Sequence, residues 1–292
     1  MSPATAPGAA ASRPLSRTLL VLATAAWAAS VLTLVLARPD GLALSADDGA
    51  PALPLWQVFL PPVLGIVLIL ALPPRRTDQP AVLGKPRAFT RSTWFLLATA
   101  MGVIALGLTP VSDVDFVLLK GLLLLIVPAL VLRFVWPGGV KVLRAPGAWR
   151  WWAPAVVVVA WTWVGYAAPW VRPSDFSGVD LRFLILGAVV TAITAGVGEE
   201  LFYRLWLQTR LEAALGPAAA IVVTSVLFGL MHFGTHGAAD LPMDAAVIVA
   251  VQGTSGIFLG LLWWRYRSIA VNILAHLIMN GWHVAAYLLS LR

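Results

Sequence analysis

An all-α, polytopic transmembrane bundle of about nine spans is the fold class this chain predicts, on three observations. Hydrophobic residues fill 60% of its 292 positions and charged residues only 11%. Its mean hydropathy is +0.88. Apolar runs recur along the whole length, each near the roughly 20 residues that cross a hydrocarbon core about 30 Å thick. Ordinary soluble domains carry about a quarter charged residues, so that class is excluded. Fourteen Trp and 21 Pro agree with a bilayer, where Trp gathers at interfaces and Pro is tolerated in packed helices. With no cysteine, disulfides, thiol nucleophiles and thiolate metal sites are excluded.

The elements follow in order. Residues 1–16 open on an Ala-, Pro- and Ser-rich stretch and are expected to form a disordered cytoplasmic N-terminus. Spans are predicted at 17–37, 56–72, 92–108, 116–136, 151–170, 181–207, 218–233, 244–264 and 269–289. The first is too long for a signal peptide's apolar core and is expected to be a retained helix. Charge alternates between the connecting loops. Arg75, Arg76, Lys85, Arg87 and Arg91 lie in the second and Lys141, Arg144 and Arg150 in the fourth, whereas Asp40, Asp47 and Asp48 mark the first and Asp113 and Asp115 the third. Arg210 is placed in the loop after the sixth span and Arg265 and Arg267 after the eighth.

The positive-inside rule then gives a cytoplasmic N-terminus and an external C-terminus. The net charge of +7 is a topology signal facing lipid headgroups, so no nucleic-acid partner is expected. Two sections result: a five-helix membrane section over 17–176 and a section marked by polar residues over 177–292.

Glu199 and Glu200 interrupt the apolar run of the sixth span, followed by Arg204. Ionisable groups in spanning helices are costly and mark functional sites by default. His232, His276 and Asn280 are the further polar residues in apolar helices downstream. At 1.5 Å per residue, Glu199 lies roughly 16 Å above Arg210, His232 roughly 22 Å above Pro217, and His276 and Asn280 about 13 and 20 Å above Arg267. All fall in the inner-to-middle part of the bilayer. His276 and Asn280, and likewise Glu200 and Arg204, stand four apart and share a helix face. Glu199, turned about 100° from Glu200, can point elsewhere.

At these residues the chain resembles the CPBP intramembrane proteases, which include type II CAAX prenyl endopeptidases and bacterial bacteriocin-processing and immunity proteins. The three motifs of that family stand here as Glu199-Glu200-Leu201-Phe202-Tyr203-Arg204, Phe228-Gly229-Leu230-Met231-His232 and His276-Leu277-Ile278-Met279-Asn280. The resemblance covers about residues 181–289 and leaves the first five spans untouched. It implies a conical, central polar cavity formed by the C-terminal helices, in an integral protein of a bacterial plasma membrane.

For the chemistry, the resemblance implies a peptide bond hydrolysed by water that Glu199 and His232 activate, with His276 and Asn280 as oxyanion donors. Glu200 and Arg204 support as a pair, and Phe228 packs the motif. The substrate is a peptide or membrane protein; whether it is prenylated, and the oligomeric state, stay open. A metal-free glutamic mechanism is favoured, so no cofactor is expected. Zinc is the alternative, a metalloprotease site drawing on Glu199, His232 and His276. His236 and His283 are read as bystanders. From other classes, a transporter or proton relay using the same Glu and His residues, or a non-catalytic scaffold or immunity protein, is the competing function.

Overall fold

Nine apolar helices lie among the described residues of the computed structural model, which describes residues 12–42, 52–74, 81–83, 85–137, 139–141, 150–233 and 240–291. In chain order they are α1 (Ser12–Ala37), α2 (Leu55–Ala71), α3 (Pro86–Gly107), α4 (Val114–Val135), α5 (Trp152–Ala167) and α6 (Leu181–Leu215). Then come α7 (Pro217–Leu230), α8 (Leu241–Tyr266) and α9 (Ile269–Ser290). Six of them (α1, α3, α4, α6, α8 and α9) are long and apolar enough to cross a membrane. At 1.5 Å per residue, α2, α5 and α7 reach only about 21–26 Å, short of a core about 30 Å thick. The expected nine spans therefore meet the length requirement at six positions. Two three-residue strands, β1 (Ala81–Leu83) and β2 (Gly139–Lys141), pair antiparallel. They join the two loops that the sequence marks as basic, which places both at one end of the bundle.

Local chemistry sets the helix ends. The Asp180 side chain accepts from the backbone N–H of Arg182 at 2.8 Å and caps α6, and Asp240 accepts from Met243 at 2.8 Å and caps α8; side-chain acceptors satisfy the donors a helix start leaves orphaned. Gly216, at φ +83°, makes the turn that lets Pro217 start α7, a conformation that glycine adopts without a Cβ penalty. Helix α1 begins at Ser12, so residues 12–16, expected to be disordered, are helical; Pro14 lies in the first turn, where a missing N–H costs nothing. The first eleven residues lie outside the described ones.

In lipid, helices gain little from hiding apolar surface from each other, so fit and interhelical hydrogen bonds hold them. A Cβ on Gly229 of α7 would stand 2.8 Å from the Ile248 carbonyl oxygen of α8, and one on Gly256 of α8 would stand 3.0 Å from Ser225 Cα of α7. The two backbones therefore run nearly in contact. Trp27 Nε1 donates to Thr254 Oγ1 at 2.9 Å and ties α1 to α8, and Trp161 of α5 stacks on Phe258 of α8 with centroids 5.2 Å apart. Leu22, Phe134 and Phe183 are exposed, a surface that suits lipid and not water. Trp56, Trp163 and Trp170 cluster at one end, with rings 5.7–5.9 Å apart, as interfacial aromatics do.

The sixth helix differs most from expectation. It continues past residue 207 to Leu215, and Arg210, expected in a solvated loop, is buried within it. Arg210 Nε donates to Ser92 Oγ of α3 at 3.1 Å, and its Nη1 donates to the Trp206 carbonyl at 3.0 Å. Seventeen of its residues, Ala192–Gln208, are wound as a π-helix. Bonds from i to i+5 put more residues in each turn, so successive side chains diverge less than in an α-helix. Both glutamates sit in this stretch.

Candidate active site

Glu199, Glu200 and Arg204 of α6 and His276 of α9 are all buried, Glu199 and Glu200 completely. Small residues let the helices approach: a Cβ on Gly196, one turn before Glu200, would stand 2.5 Å from the Leu277 side chain of α9. His276 lies between the two carboxylates. Its Nδ1 is 2.8 Å from Glu200 Oε1, and its Nε2 is 3.8 Å from Glu199 Oε2. The first is a hydrogen bond; the second is too long for one. Helical phase left the glutamates free to point apart; with the helix π-wound, both instead approach the same imidazole.

Glu200 is the more firmly held. Beyond His276, its Oε2 accepts from Asn272 Nδ2 at 3.1 Å, and Asn272 also donates to the Leu259 carbonyl of α8 at 2.8 Å. Arg204 Nε stands 3.4 Å from the same carboxylate oxygen, a looser ion pair than the i,i+4 spacing suggested. The Arg204 guanidinium lies instead over the Phe228 ring, 4.9 Å from its centroid. Phe228 also meets the rings of Tyr203, His232 and His276 at 5.5, 5.2 and 6.0 Å, so it packs the three motifs against each other.

The second motif has a geometric basis. Helix α7 ends at Leu230 and His232 lies in the following turn, its Nδ1 2.8 Å from the Phe228 carbonyl oxygen. A carbonyl can only accept, so Nδ1–H donates, which satisfies one of the carbonyls a helix end leaves orphaned and fixes the tautomer with Nε2 as the lone-pair nitrogen. His232 lies within electrostatic reach of Glu199.

Asn280 is not gathered in. It stands one turn beyond His276 on the same face but is exposed, whereas His276 is buried. That face of α9 therefore opens over a single turn. His283 is half-buried, its ring 5.8 Å from that of Tyr166 on α5. His236 lies outside the described residues.

Two residues of the site were missed in the sequence. Lys120 of α4 places its ammonium 2.5 Å from Glu199 Oε1, so the N-terminal section contributes the countercharge of the first glutamate. Its signal was a lysine inside the apolar run 116–136, as legible as the glutamates by the same cost argument. Asn272 carried a subtler one: it precedes His276 by four, on the face that the motif extends in the other direction.

The zinc alternative can be tested against this geometry. Among the described residues, no three His, Asp or Glu side chains are grouped to hold a metal. Glu199 Oε1 faces an ammonium, whose positive charge opposes a divalent cation at that carboxylate. As arranged, these donors do not fit a divalent cation.

Residues 181–282 match the family model described as type II CAAX prenyl endopeptidase Rce1-like. Comparisons with curated proteins and with solved structures returned no match. The matched stretch opens at the first residue of α6 and closes inside α9, so it holds all three motifs and Asn272 and leaves out Lys120. Over that section the chain is similar to the Rce1-like type II CAAX prenyl endopeptidases.

Proposed function

We propose that the protein is an intramembrane endopeptidase of glutamic type, in which Glu199 is the general base toward a water that attacks the scissile carbonyl. The observation that carries this is the line Glu199–His276–Glu200, buried inside helices that match a protease family. Glu199 takes a proton from the water as its oxygen bonds to the carbonyl carbon, and returns that proton to the amine nitrogen as the peptide bond breaks. His232, with its proton on Nδ1, presents Nε2 as a second acceptor for the water. Glu200 holds the His276 ring through Nδ1–H and aims Nε2 at the oxyanion, much as a carboxylate steadies the imidazole of a hydrolytic triad. Asn280, on the open turn of α9, is the second oxyanion donor once a substrate enters there.

The step needs no metal, and the Lys120 ammonium beside Glu199 supports a metal-free site. The substrate class is a peptide or membrane protein presented from the bilayer, with a prenylated CAAX peptide the form that the family description suggests. Charge alternation in the loops supports a cytoplasmic N-terminus, which reporter fusions at the two termini test. For the activity, purified protein in proteoliposomes is incubated with a fluorogenic farnesylated CAAX peptide. Cleavage by the wild type and its loss in Glu199→Gln is the expected result. Cleavage undiminished in Glu199→Gln rejects Glu199 as the base, and Glu199-dependent ion flux without hydrolysis would favour a transporter.

A further inference from the structure

Lys120 is a charged group that neither the motifs nor the matched section includes. It sits two turns into α4, about 9 Å from that helix's N-terminal end, near enough that a lysine would ordinarily snorkel to the interface. It does the opposite. Its ammonium reaches across to α6 and lies 2.5 Å from Glu199 Oε1, with the Phe116 ring of its own helix 5.9 Å away. Its side chain is 12% exposed while that of Glu199 is fully buried, so Lys120 stands at the edge of the site and Glu199 within it.

The two glutamates are held in different ways. Glu200 has His276, Asn272 and Arg204 around it. Glu199 has Lys120 on Oε1 and, on Oε2, the His276 nitrogen at 3.8 Å. Arg204 is an internal competitor for Glu199. It is buried on the same helix, lies within electrostatic reach of both carboxylates, and its two terminal nitrogens make no hydrogen bond among the described residues. A Glu199 side chain without Lys120 has a strong reason to swing to that guanidinium and leave His276.

Building on the proteolytic reading, we propose that Lys120 is a positioning residue for the hydrolytic site: it anchors Glu199 Oε1 from α4, so that Oε2 stays turned to His276 and open to the attacking water. The base is thereby set by a helix outside the family-matched section, and α4 is part of the working enzyme.

The test uses the full chain in proteoliposomes with the fluorogenic farnesylated CAAX peptide. Lys120→Met should lower kcat about tenfold to hundredfold with KM nearly unchanged, the size of effect usual for a residue that orients a reacting group. Lys120→Arg should recover part of it. Because the chain has no cysteine, Lys120→Cys carries a unique thiol, and alkylation with 2-bromoethylamine rebuilds an ammonium with sulfur in place of Cγ. Recovery of kcat on alkylation supports the proposal, since a packing role would not follow the charge.

A substrate-free measurement stands beside these. Lys120→Met and Glu199→Gln should lose less thermal stability together than the sum of their separate losses, because each alone strands a buried partner. Wild-type kcat in a folded Lys120→Met overturns the proposal, a raised kcat overturns it in favour of a lock on the resting site, and additive stability losses overturn the pairing itself. Glu199→Gln separates the two readings. If it retains cleavage, the assignment of the base fails; if it abolishes cleavage while Lys120→Met does not, only the role of Lys120 fails.

Discussion

Helix α6 carries two buried charged clusters barely three turns apart, and they are built to opposite ends. In the lower one, both oxygens of Glu212 are engaged: Gln208 Nε2 donates to Oε1 at 2.9 Å, and Arg267 pairs with Oε2. Gln208 also donates to the Gly260 carbonyl at 2.9 Å, and Trp263 Nε1 donates to Thr209 Oγ1 at 3.1 Å. Arg267 reaches its partner from a left-handed backbone, φ 48°, at the end of α8. The cluster is a joint that locks α6 to the α8–α9 turn. In the upper cluster, neither Glu199 oxygen accepts a hydrogen bond among the described residues, Oε1 having only the Lys120 ion pair, and the Tyr203 hydroxyl and the terminal nitrogens of Arg204 make none; the lower cluster leaves Gln208 Oε1 and Arg267 Nε and Nη1 unmatched, but no carboxylate oxygen. Buried polar atoms are normally paired, and unpaired ones concentrate where a protein does chemistry. A carboxylate with its lone pairs spent is structure; one with a lone pair left is a reagent.

Exchanging the two roles is the strongest way to break that comparison. Glu199→Gln should cut cleavage by about 10²–10⁴-fold, the usual contribution of a general base, with a stability loss smaller than that of Glu212→Ala because the stranded Lys120 stands at the edge of the site. Glu212→Ala should do the reverse. It strands Arg267 and should cost about 3–5 kcal/mol of stability, as broken buried pairs do, with kcat per folded molecule retained. Loss of activity in both variants at equal folded fraction would erase the distinction.

A smaller effect is expected one contact away. Glu200→Gln should lower kcat about tenfold to hundredfold by loosening His276, and Asn272→Ala, which removes one donor to Glu200, should fall at the low end of that range. Steady-state kinetics with the peptide reads both. A wild-type kcat for Glu200→Gln would mean that His276 is held by packing against Phe228 alone. Packing itself can be probed at Gly229: the Ala variant drives a methyl toward the Ile248 carbonyl and should cost about 1–3 kcal/mol, with an activity loss following from the shift of His232. Asn280→Ala should have the smallest effect on stability, since that residue is exposed, so any loss of kcat in it isolates the donor role.

Much of the helical plan was written in the apolar runs, because a bilayer tolerates little else of that length. The motif residues could be placed at one depth from rise per residue alone, and Glu199, Glu200 and His276 do meet. What the sequence hid was rotational. Under α winding the two glutamates would diverge by about 100°, but 17 residues of α6 are wound wider, and both carboxylates approach His276 while Arg204 pairs loosely with Glu200. Arg210 was misplaced because one arginine after an apolar run resembles a loop signal, and only the hydroxyl of Ser92 on α3 shows how it can be buried. Lys120 was overlooked for the converse reason. A single cation in a long apolar helix gives no hint of its partner until the fold brings α4 against α6.

The short β1–β2 pairing gives Lys120 a mechanical setting. Residues 81 and 141 are Cα partners across the ribbon, so α3 and α4 form a hairpin whose open end is stapled shut. Pulling on either basic loop would therefore tilt both helices together, like the two tines of a fork. Because the ammonium rides on one tine, near the end of the fork away from the staple, and its glutamate on the separate helix α6, a tilt of the fork would change the gap between them.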